Sequence, residues 1–161
     1  CVTGVQTCAL PISLGYGRFD TRLDVLRPNP VLPSLPLLAL KSVLYVTEAQ
    51  PKDKLTFEAQ LTHGPFSVQA NVTDFGTYVS QPLVPVQVFG GKTVLDVSGY
   101  WKVNDTLKLS AGVQNLTDER PDALIGQQAV VAATGGSFPT GEESPIGVNG
   151  RSYFVRLEAR F

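Results

Sequence analysis

Few residues in this chain have the types and spacing that chemistry requires. The single histidine, His63, stands in the triplet His63-Gly64-Pro65 between two alternating runs, with no cysteine, second histidine or carboxylate cluster beside it. A lone imidazole in a turn lacks both the further ligands a metal needs and the partner that would make it a base, so it reads as a solvated polar residue. The stretch ATGGSFPTGEE, residues 133 to 143, is rich in glycine but lacks the Lys-Ser/Thr pair that holds phosphate and magnesium in a P-loop. FDTRLD, residues 19 to 24, contains Asp-Thr without the following glycine of an aspartic-protease triplet. Asn71-Val72-Thr73 and Asn115-Leu116-Thr117 match the N-glycosylation acceptor pattern, yet both fall within strands or at their ends and read as chance matches. No nucleophile, base and orienting group come together. No catalytic, cofactor-binding or metal-ligating residue is therefore assigned, and an enzyme is the weakest of the functional classes.

The interest shifts to the elements themselves. Charged residues make up 17% of the 161-residue chain and the formal charge is -1, so there is no basic excess to neutralise a phosphate backbone and nucleic acid is not expected as a partner. The mean hydropathy of +0.07 could suggest membrane helices. The most apolar run, PVLPSLPLLAL at 30 to 40, is however short and broken by prolines and cannot span a bilayer as a helix. With 15 Gly and 12 Pro, the chain is punctuated into short segments of mainly β character. It contains no Met, and is expected to be a fragment.

Period-two alternation carries the strands. Leu55, Phe57, Ala59 and Leu61 alternate with Thr56, Glu58, Gln60 and Thr62; after the turn at Gly64, Phe66, Val68, Ala70 and Val72 alternate with Ser67, Gln69, Asn71 and Thr73. A second hairpin follows, with Leu95, Val97 and Trp101 on one face, then Leu107, Leu109, Ala111 and Val113, and a turn near Asn104-Asp105. A less regular strand is predicted within GYGRFDTRLDVL, residues 15 to 26. At the C-terminus Tyr153, Val155, Leu157, Ala159 and Phe161 alternate with Ser152, Arg156, Glu158 and Arg160. The expectation is an all-β antiparallel up-and-down meander of about five or six strands. Its connections are long at about Arg27 to Asp53, tight at Gly64, medium at about Tyr78 to Lys92, tight at Asn104 and long at about Thr117 to Asn149.

Short turns at one end and long loops at the other fit a transmembrane β-barrel with an apolar outer face and a wet lumen. The lumen-facing set would hold Asp96, Lys102, Lys108, Gln114, Arg156, Glu158 and Arg160, which a dry core could accept only if paired. Phe57, Phe66, Tyr78, Tyr100, Trp101, Tyr153 and Phe161 lie near predicted strand ends, where an interfacial girdle would sit. In a soluble β-sandwich, for example a carbohydrate-binding module, the same stripes would instead pack on a second sheet. ALIGQQAVVAA, residues 123 to 133, could form a short amphipathic helix or an irregular segment within the last long loop.

The two cysteines, Cys1 and Cys8, both lie at the N-terminus. Val2 to Ile12 resembles the conceptual translation of a sequencing-library adapter, so residues 1 to 13 are expected to be a non-native segment, with irregular placement through residue 12. Without it the chain has no thiol for a disulfide, nucleophile or metal site.

GVQNLTDERPD (Gly112 to Asp122) and SPIGVNGRSYFVRLEARF (Ser144 to Phe161) resemble the C-terminal end of TonB-dependent outer-membrane receptors. There a penultimate strand runs into an Asn-Leu-aromatic-Asp motif, a long external loop follows, and a Gly-Arg-aromatic strand ends in Phe. The resemblance extends back to about Asp20, with Thr117 standing where the family usually carries an aromatic residue. It implies that residues 14 to 161 are the last part of a large barrel, of the plugged 22-stranded kind, in the outer membrane of a Gram-negative cell. It implies further that the alternating strand Tyr153, Val155, Leu157, Ala159 and Phe161 is the signal taken up by the barrel-assembly machinery through strand addition. The remaining partners implied are outer-membrane lipid, a small-molecule nutrient, and TonB only through an N-terminal plug that this chain lacks. The function implied is active uptake of a scarce nutrient, most often an iron-siderophore complex, with ligand first met by the long loops. A passive porin-like channel would share the barrel without the plug.

Overall fold

The computed structural model describes residues 10–25, 27–28, 30–31, 38–80, 86–126, 128–133, 135, 139–141 and 143–160. Along the chain these form β1 (Ile12–Arg18), α1 (Leu40–Thr47), β2 (Asp53–His63), β3 (Phe66–Phe75), β4 (Tyr78–Ser80), β5 (Gln87–Phe89), β6 (Lys92–Lys102), β7 (Leu107–Gln114), α2 (Gln128–Ala133) and β8 (Ser152–Ala159). Six strands make one antiparallel sheet in the order β1-β2-β3-β6-β7-β8, and β4 and β5 pair separately. The protein is all-β, and its main sheet is the expected up-and-down meander, open rather than closed. No helix among the described residues is long and apolar enough to cross a membrane.

Two tight turns fix the register. Between β2 and β3, Gly64 takes a φ of 56°, a value open to glycine at little steric cost, and Pro65 follows with its ring-locked φ. This is the order a type II′ hairpin needs, with glycine at the first central position. His63 is the last residue of β2, opposite Phe66, rather than part of the turn. Between β6 and β7, Asn104 Oδ1 accepts from the Thr106 N–H at 2.9 Å, the Leu107 N–H at 2.8 Å and the Thr106 hydroxyl at 2.9 Å. One side chain thus does the work of a backbone turn.

Because directly opposite residues point to the same side, the pairings decide the faces. Phe57 lies opposite Val72, which lies opposite Leu95; Leu61 opposite Val68; Phe66 opposite Trp101; Val97 opposite Val113; Leu109 opposite Leu157; Val113 opposite Tyr153. Leu14 and Tyr16 of β1 join them, opposite Phe57 and Leu55. Every described residue of the predicted apolar stripe therefore shares one face, and that face is open: Leu14, Tyr153, Val155 and Leu157 are 65–76% exposed. The opposite face carries Glu58, Gln69, Asn71, Asp96, Lys102, Lys108, Gln114, Arg156 and Glu158, interrupted by Phe75, Val94, Tyr100 and Phe154.

Several elements differ from the sequence expectation. The first strand ends at Arg18 rather than running through residue 26: the Phe19 N–H still donates to Lys52 O at 2.7 Å, one step past the Arg18–Asp53 pair, and then Asp20 turns to a local pair with Arg22. Ile12 is not irregular; it pairs with Ala59, and Ser13 with Glu58, because the alternation continues into them. Residues 1–9, with both cysteines, lie outside the described residues. The Pro-rich connection contains α1, and the medium one contains the β4–β5 hairpin. Within the last loop a helix does form, but only over Gln128–Ala133. Phe57 sits mid-strand, not at a strand end, and Tyr78 is 1% exposed, in a small core with Phe89 and Leu124 rather than in a girdle.

On the polar face Gly112 stands directly opposite Phe154. A Cβ at Gly112 would meet the Phe154 ring at 2.5 Å and Ser98 Cβ at 2.8 Å, so the ring occupies the space that a side chain would need, an aromatic covering a strand glycine. Gly112→Val is expected to destabilise the sheet by about 1–3 kcal/mol through overpacking. Gly112→Val combined with Phe154→Ala should recover much of that loss. Denaturant unfolding of the single and double variants measures both.

Candidate functional site

Two regions can carry function: the C-terminal strand and the end of the sheet that bears the long loops. In β8, Tyr153, Val155 and Leu157 are exposed on the apolar face, as is Ala159, opposite Leu107. Phe161, the last residue of the expected assembly signal, lies outside the described residues. Among the described residues β8 pairs only with β7 and β1 only with β2, so within that set each outer row of N–H and C=O groups has no strand partner.

The entry to β8 is anchored by residues 115–119 and 150–151. Asn115 adopts φ 52° and Asp118 φ 59°, left-handed conformations that Asn and Asp tolerate better than most residues. The buried Asn115 side chain donates to Glu119 O at 2.7 Å and accepts from the Glu119 N–H at 2.8 Å, while its own N–H donates to Asp96 Oδ1 at 2.7 Å. Asp118 then accepts the Arg151 N–H at 2.8 Å. Next to it Gly150, at φ 67°, has its Cβ direction blocked by the Asp118 carboxylate. The loop between β7 and β8 is thus closed at its base by Asn115, Asp118 and Gly150. Thr117, the position that departs from the family pattern, is exposed in this turn.

Above that base, β4, β5 and the loop pack into a cap. The rings of Tyr78 and Phe89 stack with centroids 4.9 Å apart. Gln87 spans to the loop by donating to Ala123 O at 3.1 Å and accepting the Ile125 N–H at 2.9 Å. Ser80 donates to Glu143, and Lys92 Nζ lies 2.8 Å from Asp122. From the other side Val79 N–H donates to Glu48 O at 3.1 Å, just after α1. Burial raises the Tyr78 hydroxyl pKa above its ordinary value, an effect that Ser144 opposes. Sequence alternation in YVS and QVF is too short to announce these strands.

The cap offers shape and polar groups but no reacting set. Among the described residues, no three of His, Cys, Asp and Glu come together in a way that could hold a metal ion. His63 is far along β2 from the cap, at the tight-turn end. No protein-family model, curated protein or solved structure matches the chain.

The Asp118 carboxyl is held below the usual carboxylate range, first by the Arg151 N–H it accepts and further by the charges of Arg120 and Arg151. A depressed folded pKa means the contribution is fully present above the unfolded value, about 3.9, and is lost as pH falls through the lower folded value. Asp118→Asn should therefore flatten the acid limb of stability below about pH 4 and loosen the start of β8. Carbon-13 titration of the Asp118 carboxyl and hydrogen exchange at the Arg151 and Tyr153 amides would check this; an unshifted titration refutes it.

Proposed function

We propose that this sheet is a segment of a transmembrane β-barrel in a Gram-negative outer membrane, belonging to a TonB-dependent receptor for active uptake of a scarce nutrient, in first place an iron-siderophore complex. One observation carries the membrane part of the reading: an exposed apolar face that is continuous across six strands, backed by a charged and polar face. Monomers in water rarely expose apolar patches beyond a few hundred Å², whereas a barrel wall turns such a face to lipid and the polar one to a wet lumen.

Dimensions and rims agree with that reading. From Leu55 to Leu61 the apolar band covers six steps of about 3.4 Å, or about 20 Å along the strand, close to the ~25 Å apolar band of outer-membrane barrels. At the loop end polar groups bound the band: the Tyr16 hydroxyl donates to Asp53, and Thr93 donates to Asp74 at 2.6 Å. Toward the turn end Phe66 and Trp101 stack with centroids 5.9 Å apart, as interfacial aromatics would. The free edges of β1 and β8 would continue into neighbouring strands of the same wall, since open edges are not tolerated in hydrocarbon. The receptor assignment, uptake energised through a plug, and recognition of β8 by the assembly machinery rest on the resemblance of the Asn115 and Gly150 segments to that family.

Two measurements test the proposal. The chain alone in plain buffer is expected to aggregate, and to gain β circular dichroism in uncharged detergent micelles; a monodisperse, cooperatively melting monomer in buffer overturns the membrane reading. In micelles, Val97→Arg on the apolar face should cost about 2–4 kcal/mol near the midplane. Asn71→Arg, on the polar face opposite Glu58 and Asp96, should be close to neutral. Equal costs at the two positions would contradict the assignment of faces. Uptake itself is tested by placing residues 14 to 161 behind a complete plug and the preceding strands of a receptor and assaying iron-siderophore transport.

A further inference from the structure

At the loop-bearing end, the polar face breaks its own pattern. Ser67, Gln69, Asn71 and Thr73 alternate along β3 toward the wet side, and the next position on that side is Phe75. A half-buried phenylalanine there, with Lys54 Nζ 5.3 Å from its ring centroid, is a local violation of the kind that structures carry at functional sites. Phe75 forms part of the wall of a cavity of about 440 Å³, within the usual range for small-molecule pockets. Phe19, Pro51 and Pro145 supply further apolar walls, and the charged residues lining it are Lys52 and Lys54. Lys52 is already engaged by Glu48 at 3.1 Å, whereas the contact recorded for the Lys54 ammonium is the face of Phe75. No acidic side chain lines this cavity among the described residues.

The Phe19 wall is solvent-facing, with Phe19 itself 65% exposed, and its backbone is tied to the sheet. Its N–H donates to Lys52 O, and its ring packs where a Cβ on Gly17 would lie, 3.4 Å away. A second cavity, of about 290 Å³, shares Lys54, Phe75 and Pro145 with the first and extends across the sheet toward Thr73 and Asp96. The pocket therefore opens along the polar face rather than to the apolar one.

We propose that this cavity binds an aryl carboxylate, its ring between Phe19 and Phe75 and its carboxylate on Lys54. Two phenyl rings and two prolines favour a flat ring system, which stacks in offset or edge-on geometry. The ammonium selects an anion and disfavours a cation, and Phe75 holds that ammonium at the mouth of the apolar walls. The charged groups around the site are Lys52 with Glu48, Lys54, the Asp20–Arg22 pair, and, in the adjoining cavity, Asp96, whose carboxylate accepts the Asn115 N–H. Among the described residues lining the cavity, Lys54 is the cation left for the ligand. The inference deepens the proposed uptake function and rests on its reading of the polar face as the lumen, but the cavity is formed entirely by residues of this chain.

The test uses the full 161-residue chain with carbon-13 label in lysine and phenylalanine, folded in uncharged micelles. It is titrated with 2-naphthoate and, separately, with neutral 2-naphthylmethanol. Affinities are referred to the free aqueous concentration of each probe, measured by equilibrium dialysis against the same micelles, because the neutral alcohol partitions into detergent more than the carboxylate and would otherwise read as the weaker ligand. Saturable shifts at Lys54 and Phe75 are expected, with 2-naphthoate about tenfold tighter than the alcohol, the effect of one charge-assisted contact. Lys54→Gln should abolish that preference, Lys54→Arg should keep it, and Phe75→Ala should weaken both probes. Unmoved Lys54 and Phe75 resonances, equal affinities for the two probes, or a preference that survives Lys54→Gln would each overturn the proposal. If the chain folds in plain buffer instead, the membrane reading falls and the same titration, run there, still decides the site.

Discussion

Register is the constraint on which everything else in this structure depends. A strand's side chains alternate with period two, so a slip of one residue would turn Leu61, Val68, Val97 and Leu109 to the polar side and bring Glu58, Asp96 and Lys108 to the apolar one. Two devices hold it. Gly64-Pro65 permits one tight hairpin geometry, and Asn104 gathers three donors from Thr106 and Leu107 into another. With those turns set, β2 to β3 and β6 to β7 cannot slide. The pairing of β3 with β6, ten residue pairs from Phe66–Trp101 to Phe75–Lys92, then locks the two hairpins to each other.

The polar face accommodates its charge by interleaving it rather than burying it. Lys108 stands opposite both Lys102 and Glu158, a like-charge neighbour and an opposite one. It leans to the second, 3.7 Å from the carboxylate, and lies over the Tyr100 ring at 4.6 Å. Gln69 donates to Glu58 at 2.6 Å in the same cross-strand manner. Such pairs are individually weak where water reaches them, but they let a dense polar surface exist without a dry core, and the apolar residues are thereby released to the other side.

What was legible in the sequence follows from this physics. Long alternating runs such as 55–62, 66–73 and 107–113 are read correctly because both faces are specified at every step, and the stripe they predict lies on one face without exception. Alternation fails where the run is short or where tertiary contacts outweigh it. Strands β4 and β5 have three residues each, too few to show a period, and form because Tyr78, Phe89 and Leu124 bury one another. Helix α1 follows a proline-rich stretch that argues against helix. Its C-terminus is capped by the Glu48 and Ala49 N–H groups on Leu44 O, but its N-cap is Ala39 with no side-chain hydrogen bond, so no N-terminal signal marks its start. Phe75 lies beyond the alternation read in the sequence and Phe19 within the less regular predicted strand; only the pairing places the first on the polar face and the backbone bond to Lys52 places the second beside it.

The residues that flank the last long loop, far apart in sequence, meet in space. Asn115 and Asp118 at one end of the last loop, and Gly150 and Arg151 at the other, form a single junction at the ends of β7 and β8. A loop whose two ends are pinned at one place contributes closure entropy that changes only slowly with its length, so residues between them can vary in number and kind without disturbing the pairing of Gln114 with Ser152 below. This separates two tasks within one chain. The junction preserves the wall of the sheet, and the cap above it, built on Tyr78, Phe89, Gln87 and Glu143, is free to be shaped for whatever it meets.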